Sequence, residues 1–557
     1  MAEGPEAFDY IVVGAGTAGC VLASRLSEEP DRRVLLIEAG GRDDHYLLRM
    51  PLGFLRAMMN PQYSWGYMSE PEPHLGGRRV GLPRGRVLGG SGTINGMFYM
   101  RGHSLDFDAW RQLGCLGWGY ADVLPYFKRM ETSWRGANAY HGAHGPLHVQ
   151  PIDTRRLLHQ PLMQTAVAAG FNTTEDIHGD VEEGFARGEV TIDPRGRRAS
   201  TSFAYLHPVI GRRNLTVALN ALVTRVLTEN GRAVGVEMSR NGALERVRAT
   251  REVVLAGGAY NSPQLLMLSG IGPAADLKRL GIAPTVDSPG VGRNLSEHPH
   301  IPVEFEARLP VTFLNELRFD RAALSVLRWA LTGRGAFATQ INSCNVVIRT
   351  RSDLAQPDVQ LMCNPVRMDA GLWFPLVSPH KGHRITADVV VLHQRSRGWL
   401  TLRSADPREA PRVQLNILAE PADLDTARRG IRAARKIYST EPQARIAGAE
   451  VRPGAALRTD AELDAYIRAT AGVTQHPVGT CAMGVGADAV VDPQLRVQGL
   501  EGLRVADASV MPTVPGGNTN AAVAMIAEKA SDLILGRPVL PPEHVRHTRA
   551  QPEEAVT

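Results

Sequence analysis

Lysine is almost missing from this chain: only Lys128, Lys278, Lys381, Lys436 and Lys529 stand among 62 basic residues, and the rest are arginine. The arginines are dispersed. Their densest group, Arg195-Gly-Arg197-Arg198, is too short to lay a basic stripe along a phosphate backbone. With a net charge of +5 over 557 residues, nucleic-acid binding is not expected. Cysteine is sparse too. Cys20, Cys115, Cys344, Cys363 and Cys481 form no Cys-x-x-Cys pair, which removes zinc-ribbon and iron–sulfur readings, so no metal site is expected. Their odd number fits a reducing compartment better than a disulfide framework. No run of 18 apolar residues occurs, so no membrane-spanning helix is expected. The N-terminal MAEGPEAFDY lacks the basic and apolar segments of a secretion signal. A cytoplasmic protein is expected, with peripheral contact to a membrane left open. At 43% hydrophobic and 21% charged residues, extended disorder is excluded.

Glycine and proline, in contrast, are abundant at 56 and 37 residues, without a period. They suit tight turns and backbone held close to a ligand. The first such place comes at once. Phe8-Asp-Tyr-Ile-Val-Val13 reads as a buried parallel strand, and Gly14-Ala-Gly16-Thr17-Ala18-Gly19 follows. A helix continues through Leu26, and Arg33-Val-Leu-Leu-Ile37 reads as a second strand that ends at Glu38-Ala39. In this pattern Gly14 allows the turn, Gly16 lets backbone approach a pyrophosphate, and Gly19 lets helix pack on strand. The helix start presents N–H groups and a positive dipole end, and Glu38 can accept from a ribose diol. Two further Gly-x-Gly-x-x-Ala matches, at 333–338 and 484–489, follow no apolar strand and read as loops. One dinucleotide is expected, and this motif alone leaves NAD and FAD open.

Apolar runs at 214–219, 222–227, 235–238 and 252–256 read as strands. Alternating segments within 311–420 predict an antiparallel sheet, and 421–439, 460–470 and 521–535 read as helices. Five more motifs complete the chain. Residues 83–102 (PRGRVLGGSGTINGMFYMRG) hold six glycines in 20 positions, and 258–272 set two glycine turns around a short helix. His476-Pro-Val-Gly-Thr-Cys-Ala-Met-Gly484 precedes Val505-Ala-Asp507-Ala508, and Gly516-Gly-Asn518-Thr519-Asn520-Ala-Ala follows.

Together, in this order and over about residues 8–537, these motifs resemble the glucose–methanol–choline (GMC) family of flavin oxidoreductases, in its bacterial alcohol and choline dehydrogenase-like branch. Gly290-Val-Gly-Arg-Asn-Leu-Ser-Glu-His-Pro299 also looks like a family segment. The resemblance implies an α/β fold: a Rossmann-like FAD-binding domain with an inserted substrate domain built on an antiparallel sheet with helices. The implied FAD domain is discontinuous (1–155, 211–310, 457–540), and the substrate domain covers 156–210 and 311–456; by its polar composition, 541–557 is expected to be a mobile tail. Cofactor contacts are implied at Trp65, Arg86, Gly89, Gly90, Ser91, Asn95, Gly96, Met97, Val223, Asp507, Ala508, Asn518 and Thr519, besides Gly14, Gly16, Thr17, Ala18, Gly19, Glu38 and Ala39. Ile94 stands where some members attach FAD through a histidine, so non-covalent FAD is expected. Position 482 is Ala where many relatives carry a basic residue.

The resemblance sets His476 at the family's active-site histidine and Asn520 at its second active-site position, which is His or Asn. Oxidising an alcohol means removing its hydroxyl proton and moving hydride from the α-carbon to flavin N5. An imidazole can take that proton near neutral pH, and an Asn can orient the same oxygen without acting as a base. An ordinary imidazole predicts a rate that rises through the histidine range. The expected partners are a small-molecule alcohol and either oxygen or a quinone-type carrier. The alternatives are a non-redox or light-driven member of the fold (hydroxynitrile lyase, photodecarboxylase) and an NAD-dependent dehydrogenase. A His–Asn pair favours redox chemistry.

Overall fold

The Val/Ile/Leu runs form the middle of a seven-stranded sheet. In the computed structural model, which describes residues 7–375, 377–380 and 382–548, strand Ala7–Val13 pairs in parallel with Val34–Ile37 on one side and Ala243–Leu255 on the other. Leu215–Ala218 extends the parallel part, and Leu503–Val505 pairs onto Ala243–Leu255. Ile11, Val12, Leu36 and Val254 are fully buried, as strands covered on both faces require. Helix Thr17–Leu26 lies between this sheet and the C-terminal helix Asn520–Leu535.

The antiparallel part is longer than the apolar pattern suggested. Ala221–Glu229, Arg232–Arg240 and Ala243–Leu255 form a meander joined by Asn230-Gly231 and Asn241-Gly242. All four turn residues have positive φ, at 50°, 76°, 51° and 82°, and each loop has two residues. That is the Asn-Gly hairpin, whose twist matches the strands it joins. The outer halves of these strands are solvated and charged, so hydrophobicity alone did not reveal them.

An eight-stranded antiparallel sheet forms the second layer. Its order runs Ala447–Arg452, Glu304–Ala307, Arg384–Val391, Val359–Asn364, Cys344–Ile348, Gly184–Ala186, with Pro299–Ile301 joining Arg384–Val391 to Gly472–Val473. Helix Pro421–Tyr438 backs it, burying Leu424, Ala427, Ile431 and Ala434. A Cβ on Gly430 would stand 2.4 Å from Val389, so the helix rests directly on the sheet. Pro299–Ile301 and Glu304–Ala307 belong to this sheet, although the sequence grouped 211–310 with the first. Strands of three and four residues are too short to show a period. The 311–420 region also holds a helix, Phe319–Thr332.

Residues 541–548, assigned by composition to a mobile tail, lie against the body. Glu543 N–H donates to Ala121 O at 2.9 Å and Thr548 N–H to Asp180 O at 2.8 Å, and His547 Nδ1 is 3.2 Å from Glu182. The rest of the tail, 549–557, falls outside the described residues.

The first turn carries a very tight backbone contact. Gly14 has φ +98°, and a Cβ on Gly19 would stand 1.8 Å from Gly14 O. Gly19→Ala should therefore lower the thermal unfolding midpoint of the loaded protein, since such overpacking costs about 1–3 kcal/mol or more. Gly486→Ala, where a Cβ meets nothing within 4 Å, should leave it unchanged. Scanning calorimetry of both variants checks this, and equal midpoints would contradict the contact.

Candidate active site

A cavity of about 710 Å³ lies between the two sheets and takes its walls from both. Of the residues expected at a cofactor, Gly14, Gly16, Thr17, Ala18, Glu38, Ala39, Trp65, Arg86, Gly90, Ser91, Asn95, Gly96, Met97, Val223, Asp507, Ala508, Asn518 and Thr519 line it. His476 and Asn520 line it too. Gly19 and Gly89 do not. Gly19 is the packing point just described. Gly89 has φ +85°, and a Cβ there would meet Thr93 Oγ1 at 2.0 Å, so it makes the turn beneath the wall.

Two glycine loops meet backbone to backbone. Gly89 N–H donates to Ala15 O at 2.7 Å, and a Cβ on Gly90 would stand 2.7 Å from Gly16 Cα. No side chain caps the start of helix Thr17–Leu26. Its first N–H groups and positive dipole end therefore open beside bare backbone, an arrangement that fits a pyrophosphate. Glu38 is buried at the end of its strand. Its Oε2 accepts from Ala15 N–H at 2.9 Å and its Oε1 from Gly40 N–H at 2.8 Å. Burial, opposed by those two bonds, raises its pKa to about 7. Glu38 thus shapes the glycine loop, and each oxygen keeps a second lone pair that a ribose hydroxyl can use.

Asp507 is an anchor. Its Oδ2 accepts from Gly258 N–H at 2.8 Å and Ser262 Oγ at 2.5 Å, and its Oδ1 accepts from Ser509 N–H at 2.8 Å and Ser509 Oγ at 2.6 Å. The Arg86 guanidinium lies 4.9 Å from the Trp65 ring centre, and Trp65 stacks on Tyr67. Met97 is held at φ +62°, a conformation that costs a non-glycine residue about 1–3 kcal/mol. Asn95 Oδ1 accepts from Met97 N–H at 3.0 Å and from Arg198 Nη1 at 2.7 Å, and Arg198 Nη2 donates to Asn95 O at 2.8 Å. Arg198 is fully buried, and burial lowers its pKa to about 9. It sits in the short basic group that the sequence dismissed, and nothing in that pattern marks it as the support of the cavity wall.

His476 is buried, and its partners define its state. Its backbone N–H donates to Glu297 Oε1 at 2.6 Å. Its Nδ1 faces Thr474 Oγ1 at 2.8 Å and His298 Nδ1 at 3.1 Å, and its Nε2 faces Asn518 Nδ2 at 3.0 Å. His298 Nε2 lies 3.0 Å from Leu392 O. A carbonyl only accepts, so His298 carries its proton on Nε2. Burial lowers the pKa of His298 to about 3, so the ring is neutral and its Nδ1 is bare. His476 must then donate from Nδ1, which leaves Nε2 as the acceptor of the Asn518 Nδ2–H. Burial first, then His298 and Arg84, hold His476 well below the ordinary imidazole range. A ring held there is neutral through the ordinary histidine range, where the sequence led us to expect an ionisation.

The second active-site position also changes. Asn520 does not touch His476: its Oδ1 accepts from Thr17 Oγ1 at 2.7 Å, tying the last helix to the first. Asn518, two residues earlier and before the helix begins, takes the place beside the imidazole. The sequence shows two Asn two residues apart, and only the helix start decides which one faces the ring. Glu297 and His298, which hold His476, lie in the 290–299 segment whose family likeness was legible but whose role was not. On the far wall, His300, Gln340, Met362, Asn364 and Asp388 come from the second sheet and its flanks.

The GMC oxidoreductase family models match residues 8–300 and 394–527. The chain is 42% identical over 552 residues to mitochondrial choline dehydrogenase of Mus musculus, covering 97% of this chain and 92% of that one. It is 42% identical over 532 residues to oxygen-dependent choline dehydrogenase of Sinorhizobium fredii, covering 95% and 96%. Among solved structures, pyridoxine 4-oxidase from Mesorbium loti superposes with a TM-score of 0.85 at 30% identity, covering 95% of this chain and 100% of that one. A variant formate oxidase from Aspergillus oryzae RIB40 superposes with a TM-score of 0.89 at 27% identity, covering 96% and 99%. With two glycine loops and an uncapped helix start suited to a dinucleotide, and a buried histidine on the same cavity, the chain belongs to the GMC oxidoreductase family as an FAD-dependent enzyme acting on CH–OH groups.

Proposed function

We propose that the enzyme oxidises a small alcohol to its aldehyde or ketone, with His476 as the base and Asn518 as its orienting partner. The observation that carries this is the pair itself: a buried imidazole whose Nε2 lies 3.0 Å from the Asn518 carboxamide nitrogen, on the wall of the cavity. An arriving alcohol gives its hydroxyl proton to His476 Nε2, and Asn518 turns its N–H to the alcohol oxygen. Bound FAD would supply the two-electron acceptor for the hydride of the α-carbon as the C=O bond forms. Proton and hydride together balance the two-electron oxidation. Glu297, Thr474 and His298 keep the ring from rotating while Nε2 is protonated. In this reading the unit around the seven-stranded sheet holds FAD, non-covalently, through the cavity residues named above, and the eight-stranded unit receives the alcohol.

The names of the relatives make choline the first alcohol to test, with a neutral alcohol of the same size as control. One buried carboxylate, Asp388, stands on the far wall, with Oδ2 3.5 Å from His300. The acceptor is oxygen or a quinone-type carrier, to be assayed in parallel. The His–Asn pair supports redox chemistry over lyase or light-driven chemistry, and bleaching of the flavin by substrate without light separates them.

Five outcomes are expected. In anaerobic stopped-flow, His476→Ala should reduce its flavin about 10²–10⁴-fold more slowly while keeping FAD. Asn518→Ala should lose more than Asn520→Ala, and the reverse order would return the second position to Asn520. The sign of the pH effect follows from the lowered pKa: the neutral base persists above it and is lost only as pH falls to it. The parent rate should therefore be level from about pH 6 upward, and a rise through the ordinary histidine range would refute the neutral ring. Acid precipitation should release all flavin into the supernatant, and colour retained in the washed pellet would show a covalent bond. Glu38→Ala should weaken FAD binding at least about tenfold, since a charge-assisted bond is worth about 1.5–3 kcal/mol. Unchanged flavin affinity by fluorescence titration would remove Glu38 from the cofactor site.

A further inference from the structure

Among the described residues 23 large apolar side chains are exposed, and ten of them fall between positions 309 and 377. Four stand on helix Phe319–Thr332: Phe319, Leu324, Leu327 and Leu331 are 55%, 65%, 55% and 76% exposed. The opposite face of this helix buries Ala322, Ser325 and Trp329, and Trp329 Nε1–H donates to Gly196 O at 2.8 Å. The helix is thus apolar on both faces, the pattern of one covered on both sides. The loop beside its start adds exposed Leu372, Phe374 and Val377. Phe319 N–H donates to Trp373 O at 2.9 Å, and the Phe319 and Phe374 rings are 6.1 Å apart. This is one contiguous patch, beyond what scattered surface leucines make.

Its rim is basic. Exposed Arg321 and Arg328 flank the leucines, and Arg334 follows the helix. Exposed Arg195 lies under its end, its carbonyl 2.0 Å from where a Cβ on Gly333 would be. The one acid of the helix, Asp320, is held by Arg318 at 2.7 Å. We propose that this face docks on an anionic phospholipid bilayer, with its leucines and phenylalanines among the acyl chains and its arginines on the phosphates. An apolar face edged by guanidiniums is what an interfacial helix presents, and guanidinium pairs with phosphate through two hydrogen bonds. A second copy of the chain docked through the same face about a two-fold axis would set arginine rim near arginine rim, and like charges oppose it. No helix among the described residues is long and apolar enough to cross a membrane, so the contact is with the surface. Met368, exposed on the same loop, also lines the main cavity, so docking brings the rim of that cavity to the lipid.

The test is co-sedimentation of the FAD-loaded full-length protein with phosphatidylcholine vesicles carrying about 30% phosphatidylglycerol, and with phosphatidylcholine alone. The parent should sediment with the anionic vesicles, less so at high salt. Leu327→Glu with Leu331→Glu, and separately Arg321→Glu with Arg328→Glu, should cut the bound fraction at least about tenfold, with flavin content and turnover of a water-soluble alcohol unchanged. The proposal falls if the parent stays in the supernatant with both vesicles, or if the Leu327→Glu, Leu331→Glu protein sediments like the parent. It also falls if light scattering shows a parent dimer that these leucine substitutions split, which would assign the face to a second copy.

Discussion

The state of the buried His476 ring depends on a hydrogen-bond chain that starts at a backbone carbonyl. Leu392 O can only accept, so it fixes the proton of His298 on Nε2, and His298 in turn fixes the proton of His476 on Nδ1. The chain is held by strand register. Pro299 pairs with Val473 and His300 with Val390, so His298 comes to stand opposite both Leu392 and Thr474. A slip of one residue would turn His298 to the other face of the sheet and release the ring. The second sheet therefore sets the protonation state of His476 as well as supplying the far wall.

Around that chain the fold keeps several groups in costly states. Glu297, with one oxygen on the backbone of His476 and His298 and the other without a partner, is pushed up to about 7 by burial. Met97 sits in the left-handed region, and Arg198 is buried with carbonyl and carboxamide oxygens as its partners. All three lie at or beside the cavity. Local rules are broken where the chain must shape a site, which is where consistency between sequence and structure is expected to fail.

Much of the fold was legible because its signals are short-range. The strand–glycine turn–helix at 8–26 needs no distant contact to be read, and the last helix announces itself by its apolar length. The Asn-Gly hairpins at 230–231 and 241–242 were equally local, yet the charged halves of their strands hid the extent of the meander. What stayed hidden depends on long-range placement. Asn518 and Asn520 differ only in which side of a helix start they fall. Arg198 became a wall support through contacts some 100 and 150 positions away, to Asn95 and Leu48. Polar composition predicted a loose tail at 541–548, but backbone hydrogen bonds to Ala121 and Asp180, which composition does not record, pin it down.

In the proposed mechanism His476 enters the reaction neutral, with its proton on Nδ1 and its lone pair on Nε2. Long-range nitrogen-15 imidazole spectra of the FAD-loaded protein, with the His476 signals assigned by their loss in His476→Ala, report both the charge and the tautomer of that ring. One neutral Nδ1–H ring is expected, unchanged between about pH 6 and 8. A ring that is doubly protonated at the start of that range, or neutral with its proton on Nε2, would contradict it.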